Sequence, residues 1–535
     1  MPHPPATYLA DVARHFPDGL RDESRRTGTA EGIAFPTTVE EVCDLLRLAA
    51  KQACPVTIQG ARTGITAGAV PDGGVVLSLT RLDRILGVSL ATDGRACVRV
   101  QPGITLTALR AFLDGASIDT STWSEASRQA LPRLRAARWI FTPDPTESSA
   151  SLGGMVACNA SGACSFAYGA TRGHIHALTV ALADGDWLDL ERGVQRAEGR
   201  QFRLTTRGGR VLSGAIPAYE MPAVKNAAGY YAAPDMDLID LFIGSEGTLG
   251  AIVEIELTLQ PLPPVTWGVI CFLPDEPCAL NLVEWIRDPK QRTGGAQPVA
   301  IEYFDAGVLD LLRQARAGGV HLPQLKDQWN QAVYVEYAAA SEALADARAA
   351  ALAQWLTAHG GNAEDTWIST GEEGLRRIKE FRHAAPEQVN RRIAERQRQH
   401  PGLTKLGTDL SVPDAQLRPV MAMYRRDLAE AGLEYVVFGH IGNNHVHVNI
   451  LPRDLQEYAQ GKALYETWAR QVVAWDGSVS AEHGIGKLKV NLLALMAGSK
   501  GVAEMRALKR VFDPAGRLNA GNLFAATASS LHDGR

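Results

Sequence analysis

From Thr38 the apolar positions fall at helical spacing. Thr38-Val39-Glu40-Glu41 reads as a capping box, Val42, Leu45, Leu46 and Ala49 continue one face, and the helix is expected to stop near Pro55. The β-branched run VTIQ (56–59) then predicts a strand that ends at Gly60. GARTGITAGAVP (60–71) is a glycine-rich connector, and VVLSL (75–79) is the next strand. Helix, strand, glycine loop, strand is the order of an α+β nucleotide-binding unit, although such a loop taken alone reads equally well as an ordinary tight turn. A second tract, 141–173, mixes Gly, Ser, Ala and Asn with few large side chains, which lets backbone N–H groups approach an anion such as a pyrophosphate. IHALTVALADG (175–185) predicts a strand and turn. LIDLFIGSEGTLGAIVEIELTL (238–259) predicts a buried segment, a third glycine-rich loop and a strand of alternating polarity.

PLPP (261–264) marks the first domain boundary. Beyond Val265, helical patterns at 341–360 and 374–397 alternate with strand candidates QAVYVEYA (331–338) and HVHVNILP (445–452), which predicts an α+β cap. MRALKRVFDPAGRLNAGNLF (505–524) reads as a helix and a turn-rich tail. The expected division is therefore 1–262, 263–504 and 505–535, and a chain of 535 residues does exceed the ~250–300 that one core supports.

Composition narrows the function classes. An apolar fraction of 46% with 21% charged residues suits a folded globular chain, and a net charge of −5 without a basic stripe argues against nucleic acid and for a small-molecule substrate. Seven scattered cysteines with no Cys-x-x-Cys pair fit a reducing cytoplasm and offer no iron–sulfur ligation. The N-terminal residues carry no signal-peptide pattern, and no apolar run approaches the ~20 residues of a membrane span. The expected location is cytoplasmic, with peripheral contact at the inner face of a membrane left open.

GHIGNNHVHVNI (439–450) is the sharpest local signal. A period of two places His445, His447 and Asn449 on one face of a strand, and the Gly-Asn-Asn turn aims His440 toward the same point. SAEHGIG (480–486) adds Glu482 as a carboxylate ligand candidate and His483 as a base candidate. Two histidines and a carboxylate with an open position suit a catalytic divalent ion, whereas a solvated strand face is the plain alternative.

Together these segments resemble a known family over most of the chain, from about Pro36 to Phe524. IQGARTGITAGAVP, PDPTESSASLGGMVACNASG with YGATRG, and IGSEGTLGAI resemble the three flavin-binding stretches of the vanillyl-alcohol oxidase / p-cresol methylhydroxylase superfamily. GHIGNNHVHVNI, AEHGIGKLK and FDPAGRLNAGNLF resemble the signature of its D-lactate, glycolate and D-2-hydroxyglutarate dehydrogenase branch. The resemblance implies an α+β fold in which a two-subdomain FAD-binding domain (1–262) is followed by a cap, or substrate, domain (263–504). A C-terminal segment (505–535) then returns to the FAD domain.

The resemblance also implies roles. FAD would lie along Gly60, Arg62, Thr63, Gly64, Pro143, Asp144, Ser149, Gly153, Gly154, Asn159, Ser161 and Gly162, with Ile252 touching it. The metal ligands, for Zn or Mn, would be His440, His447 and Glu482, and the base His483, at a pKa near neutrality. Arg382 would hold the substrate carboxylate, and Lys405 is a second carboxylate candidate set two residues farther from Asp409 than the family pattern. The implied activity is oxidation of a D-2-hydroxy acid to the 2-oxo acid, with electrons passed to a separate quinone, cytochrome or electron-transfer flavoprotein. The rival readings are another FAD-linked oxidase, an enzyme like alkyl-glycerone-phosphate synthase, and a non-catalytic FAD-binding subunit of a respiratory complex. The chain departs from the pattern in three places. Asn443-Asn444-His445 replaces Asp-Gly-Asn, Ala520 and Asn522 replace proline and lysine, and 121–140 looks like an insertion.

Overall fold

In the strand Ala251–Pro261, Ile255, Leu257 and Leu259 are buried while Glu254, Glu256 and Thr258 between them are partly exposed. The period of two in the sequence is thus the period of the pleat. The computed structural model describes residues 8–292 and 295–525; the first seven residues of the expected lead and the last ten of the expected tail lie outside them. Ala251–Pro261 is the spine of a sheet, antiparallel to Ala96–Val100 on one side and to Ile175–Ala181 on the other. Ile85–Leu90 and Trp187–Glu191 extend the sheet outward. A separate four-stranded sheet runs Tyr8–Ala10, Gly32–Ala34, Val75–Ser78, Val56–Gln59, and its last three strands are parallel.

The helix Val39–Lys51 begins where the capping box predicts. Thr38 Oγ1 accepts the Glu41 N–H at 3.2 Å, but the Glu41 carboxylate takes the Thr37 N–H at 2.6 Å instead of closing on Thr38. Only half of the box forms; the other half moves one residue upstream.

Past Pro261 the chain enters a seven-stranded antiparallel sheet at Val265. Its order is Thr366–Thr370, Val265–Leu273, Gln331–Ala339, Ala296–Phe304, Tyr435–Gly439, His447–Ile450, Leu406–Gly407. Both faces are covered. Val269 and Cys271 join one core with the helices Glu276–Arg287, Glu342–Ala358 and Leu417–Ala431, while Ile270 and Phe272 join another under Ala306–Ala317 and Gly371–Gln397. Burial on both sides explains why VTWGVICFL is an unbroken apolar run.

Three details differ from the sequence expectations. The strand predicted over 445–452 spans only His447–Ile450, because Asn444 turns at φ 51° and His445 sits in the approach. The final helix starts well before 505, at Val490, and runs to Phe512 with a break at Gly498. The 121–140 segment folds as a helix, Glu125–Ala136, preceded by Trp123, whose indole N–H donates to Ile85 O at 2.8 Å. Among the described residues no helix is long and apolar enough to cross a membrane.

The C-terminal segment returns to the first sheet. Val56 N donates to Arg517 O at 3.0 Å, Asn519 N to Val56 O at 2.9 Å, and Ile58 N to Asn519 Oδ1 at 2.7 Å. Lys509 fastens this return from within, donating to Asp513 Oδ2, Thr248 O and Leu518 O at 2.7–2.8 Å in a fully enclosed position. Removing one partner of such a pair leaves a buried charge, which costs about 3–5 kcal/mol. Lys509→Ala is expected to lower the denaturation midpoint markedly and to open the C-terminal segment to protease, both measured on the purified full chain.

Candidate active site

The three glycine-rich loops converge. Ser151 Oγ accepts N–H groups from Ala61 in the first loop and from Gly154 in the second, where it caps the short helix Leu152–Ala157. In the third loop, Gly244 N and Glu246 N donate to Val156 O and Ala157 O at 2.9 and 2.8 Å. The packing leaves no room for side chains at key points: a Cβ on Gly60 would lie 2.2 Å from Ser151 Oγ, and one on Gly162 would lie 2.0 Å from Asp144 O. Gly64, in contrast, faces open space. Loops pressed together by backbone, with one glycine face free, fit a cradle for an extended anionic cofactor.

The histidine–carboxylate cluster lies against this cradle. Glu482 Oε1 accepts from Ser161 Oγ at 3.2 Å and from Lys225 Nζ at 2.6 Å, and Lys225 also reaches Gly162 O. Glu482 Oε2 faces His440 Nε2 at 3.1 Å and His447 Nε2 at 3.8 Å. Outer partners orient both rings: Glu302 Oε1 lies 2.6 Å from His440 Nδ1, and Thr408 O lies 2.7 Å from His447 Nδ1. One atom from each of His440, His445, His447 and Glu482 falls within 4.8 Å of the others. Imidazoles and a carboxylate, with the His440 and His447 rings each held at the far nitrogen by an oxygen, fit a divalent cation of the Zn or Mn kind.

Asp409 organises the neighbouring loop. It is wholly buried and accepts from Glu482 N and His483 N at 3.1 Å, from Ser480 Oγ at 2.7 Å and from Lys489 Nζ at 2.6 Å, with His483 Nδ1 at 3.4 Å. Burial alone would raise its pKa, yet His483 and Lys489 hold it well below the carboxylate range. Glu482 is likewise ionised, with His440 and Lys225 outweighing burial. For His440, burial pulls down, but Glu302 and then Glu482 raise it to about 9. The partly exposed His483 ring is lowered by burial to about 4, with Asp409 opposing, so it stands as a neutral acceptor at pH 7 instead of titrating near neutrality.

The structure therefore gathers His440, His447, Glu482 and His483. Arg382 lies on the helix Gly371–Gln397, its Nη2 3.2 Å from His383 Nε2, and no carboxylate ion-pairs with it among the described residues; Glu302 and Asp144 act on it through space. Lys405 stands just before the edge strand Leu406–Gly407; its side chain is solvent-accessible, yet burial of the ammonium by the surrounding protein pulls its pKa down to about 8. In the cradle, Arg62, Thr63, Gly64, Asp144, Gly153, Gly154 and Ser149 retain exposure, Pro143, Asn159, Ser161 and Gly162 are buried, and the Ile252 side chain is enclosed in the core. Reading the sequence missed Asp409, Lys225, Glu302, Glu246 and Lys489. For Glu302 a signal existed: a carboxylate within the apolar stretch Val299–Phe304 of the strand Ala296–Phe304.

Comparison with known proteins places these features. Residues 30–122 and 121–191 match the FAD binding domain family, and residues 281–523 match the FAD linked oxidases, C-terminal domain family. A D-2-hydroxyglutarate dehydrogenase of Xanthomonas citri pv. viticola is 30% identical, with 94% of this chain and 91% of that protein covered. A D-lactate dehydrogenase of Anaerostipes hadrus is 28% identical, covering 95% and 92%. A probable mitochondrial D-lactate dehydrogenase of Danio rerio is 27% identical, covering 95% and 88%. The solved structure of p-cresol methylhydroxylase with substrate bound superposes at a TM-score of 0.65 with 15% identity, covering 97% of this chain and 94% of that one. Alkyldihydroxyacetonephosphate synthase superposes at 0.59 with 16% identity, covering 92% and 76%.

Glu246 joins the third loop to the 480–489 loop, accepting from Ile485 N and Gly486 N at 2.7 Å. Burial raises its pKa from 4.5 to about 7, opposed by those two N–H groups. A raised acid binds more protons folded than unfolded, so its contribution is fully present below about pH 4.5 and is lost as pH rises through about 7, amounting to at most about 3 kcal/mol. Glu246→Gln is expected to flatten the fall in denaturation midpoint between pH 4.5 and 7.5, as measured by thermal melts across that range.

Proposed function

The chain belongs to the FAD-linked oxidases of the vanillyl-alcohol oxidase / p-cresol methylhydroxylase superfamily, and on that premise we propose that it oxidises a D-2-hydroxy acid, of the D-lactate or D-2-hydroxyglutarate type, to the 2-oxo acid. The observation that carries this reading is the sharing of Glu482: one carboxylate oxygen is held by Ser161 of the flavin cradle and by Lys225, the other faces His440 and His447. Cradle and cluster thus meet at one carboxylate. The names of the relatives support the substrate class.

Bound on the three loops, FAD supplies the acceptor for the hydride from the α-carbon. A divalent ion on His440, His447 and Glu482 would supply the positive charge that lowers the pKa of the substrate hydroxyl. The protein's own groups do the rest. Arg382, with no carboxylate paired to it, takes the substrate carboxylate in a fork and fixes which face of the α-carbon is presented. His483 turns Nδ1 toward Asp409, leaving Nε2 to receive the hydroxyl proton, and the buried Asp409 carboxylate stabilises the imidazolium that forms. We take the electrons to pass on to a separate quinone, cytochrome or electron-transfer flavoprotein, since the seven scattered cysteines offer no spacing for an iron–sulfur cluster.

Anaerobic titration of the flavin-loaded protein with paired D- and L-lactate and D- and L-2-hydroxyglutarate is expected to bleach the flavin band with a D-acid and not with its L-partner. A band that none of these acids bleaches contradicts the substrate class. In His483→Asn, with flavin content unchanged, the rate of flavin reduction is expected to drop ~10²–10⁴-fold, the range for losing a positioned acid–base group; an unchanged rate removes His483 from the role of base.

A further inference from the structure

His445 stands where the family pattern has asparagine, at the end of the turn that Asn444 makes with φ 51°. Its side chain is completely enclosed. A buried imidazole needs partners for its ring nitrogens, and an unpartnered one calls for an explanation. Nε2 lies 3.1 Å from Asp409 Oδ1 but outside hydrogen-bond geometry, so neither ring nitrogen has a hydrogen-bond partner among the described residues. The ring does not sit in an apolar niche. Its centroid is 4.5 Å from that of His447 and 5.4 Å from that of His440, and it contributes one of the ligand atoms gathered within 4.8 Å.

The three histidines share one plan. Each has one ring nitrogen beside an oxygen: hydrogen-bonded to Glu302 for His440 and to Thr408 O for His447, and 3.1 Å from Asp409 Oδ1 for His445. Metal-bound histidines characteristically direct the second nitrogen in this way, so that the first is oriented toward the ion. We infer that His445 is a fourth protein ligand, through Nδ1, giving a shell of three imidazoles and one carboxylate; this rests on the metal reading above. Four protein ligands fill a tetrahedral shell. An ion held there would need to accept a further ligand in order to take a substrate oxygen as well. His445 also couples the site to Asp409, because the carboxylate beside His445 is the one that faces His483.

The test uses the flavin-loaded full chain after chelator treatment, with Zn²⁺ as the probe. Calorimetric titration compares wild type with His445→Asn and His445→Gln, and zinc-edge X-ray absorption counts the imidazoles around the bound ion. The expected result is one site per chain, three imidazoles in wild type and two in each variant, with affinity weakened at least ~10-fold, the scale on which even outer-shell changes act. One site per chain with two imidazoles in wild type, or equal affinity and an unchanged spectrum in the variants, overturns the inference and leaves the metal reading intact. No zinc bound by wild type overturns both. Should either variant lose its flavin through misfolding, the imidazole count on wild type decides alone.

Discussion

A carboxylate with no exposure to solvent must be surrounded by donors or it does not stay charged, and Asp409 meets that demand by drawing the 480–489 loop around itself. The backbone N–H groups of Glu482 and His483, the Ser480 hydroxyl and the Lys489 ammonium all point at it. That single constraint sets where the Glu482 carboxylate and the His483 ring can be. The strand Leu406–Gly407, just ahead of Asp409, pairs with His447–Ile450 and so carries the histidines of the other segment to the same place. Substitution of Asp409 is a change to the whole site, not to one contact.

Around this anchor the two halves of the molecule share a continuous apolar core, and polar contacts join them beside the site. Ser161 and Lys225 reach Glu482, Glu246 takes the Ile485 and Gly486 N–H groups, and Thr66 O receives the Lys487 N–H. Each of these groups comes from the glycine-loop half and meets the loop that bears Glu482 and His483. The flavin cradle and the histidine cluster are therefore held in register by hydrogen bonds, which fix direction as well as distance. In enzymes that move a hydride and a proton from adjacent atoms, such positioning is worth ~7–11 kcal/mol of the barrier.

Much of this was legible in the chain. Glycine clusters mark where backbones approach closely, and the collisions that a Cβ would cause at Gly60 and Gly162 show why. The period-two spacing of His445 and His447 does bring the two rings together, their centroids 4.5 Å apart, even though the strand begins only at His447. What could not be read was pairing across long separations. Nothing local to Asp409 or Lys225 announces that they close on residues some 70 to 260 positions away, and the carboxylate at Glu302 marks a buried charge without naming its partner. The pKa of His483 was missed for the same reason: it depends on burial and on a carboxylate distant in sequence. The early start of the last helix escaped because Gly498 breaks the apolar period that would have revealed it.

The claim on which the account turns is that the histidine–carboxylate cluster and the flavin cradle form one working site. The most direct measurement is the stopped-flow rate of flavin reduction by the active D-acid, compared between chelator-treated protein and the same protein resupplied with a divalent metal. The account predicts a rate lowered by orders of magnitude on chelation and recovered on resupply, with the oxidised flavin spectrum unchanged throughout. Equal rates with the metal verifiably removed would contradict it.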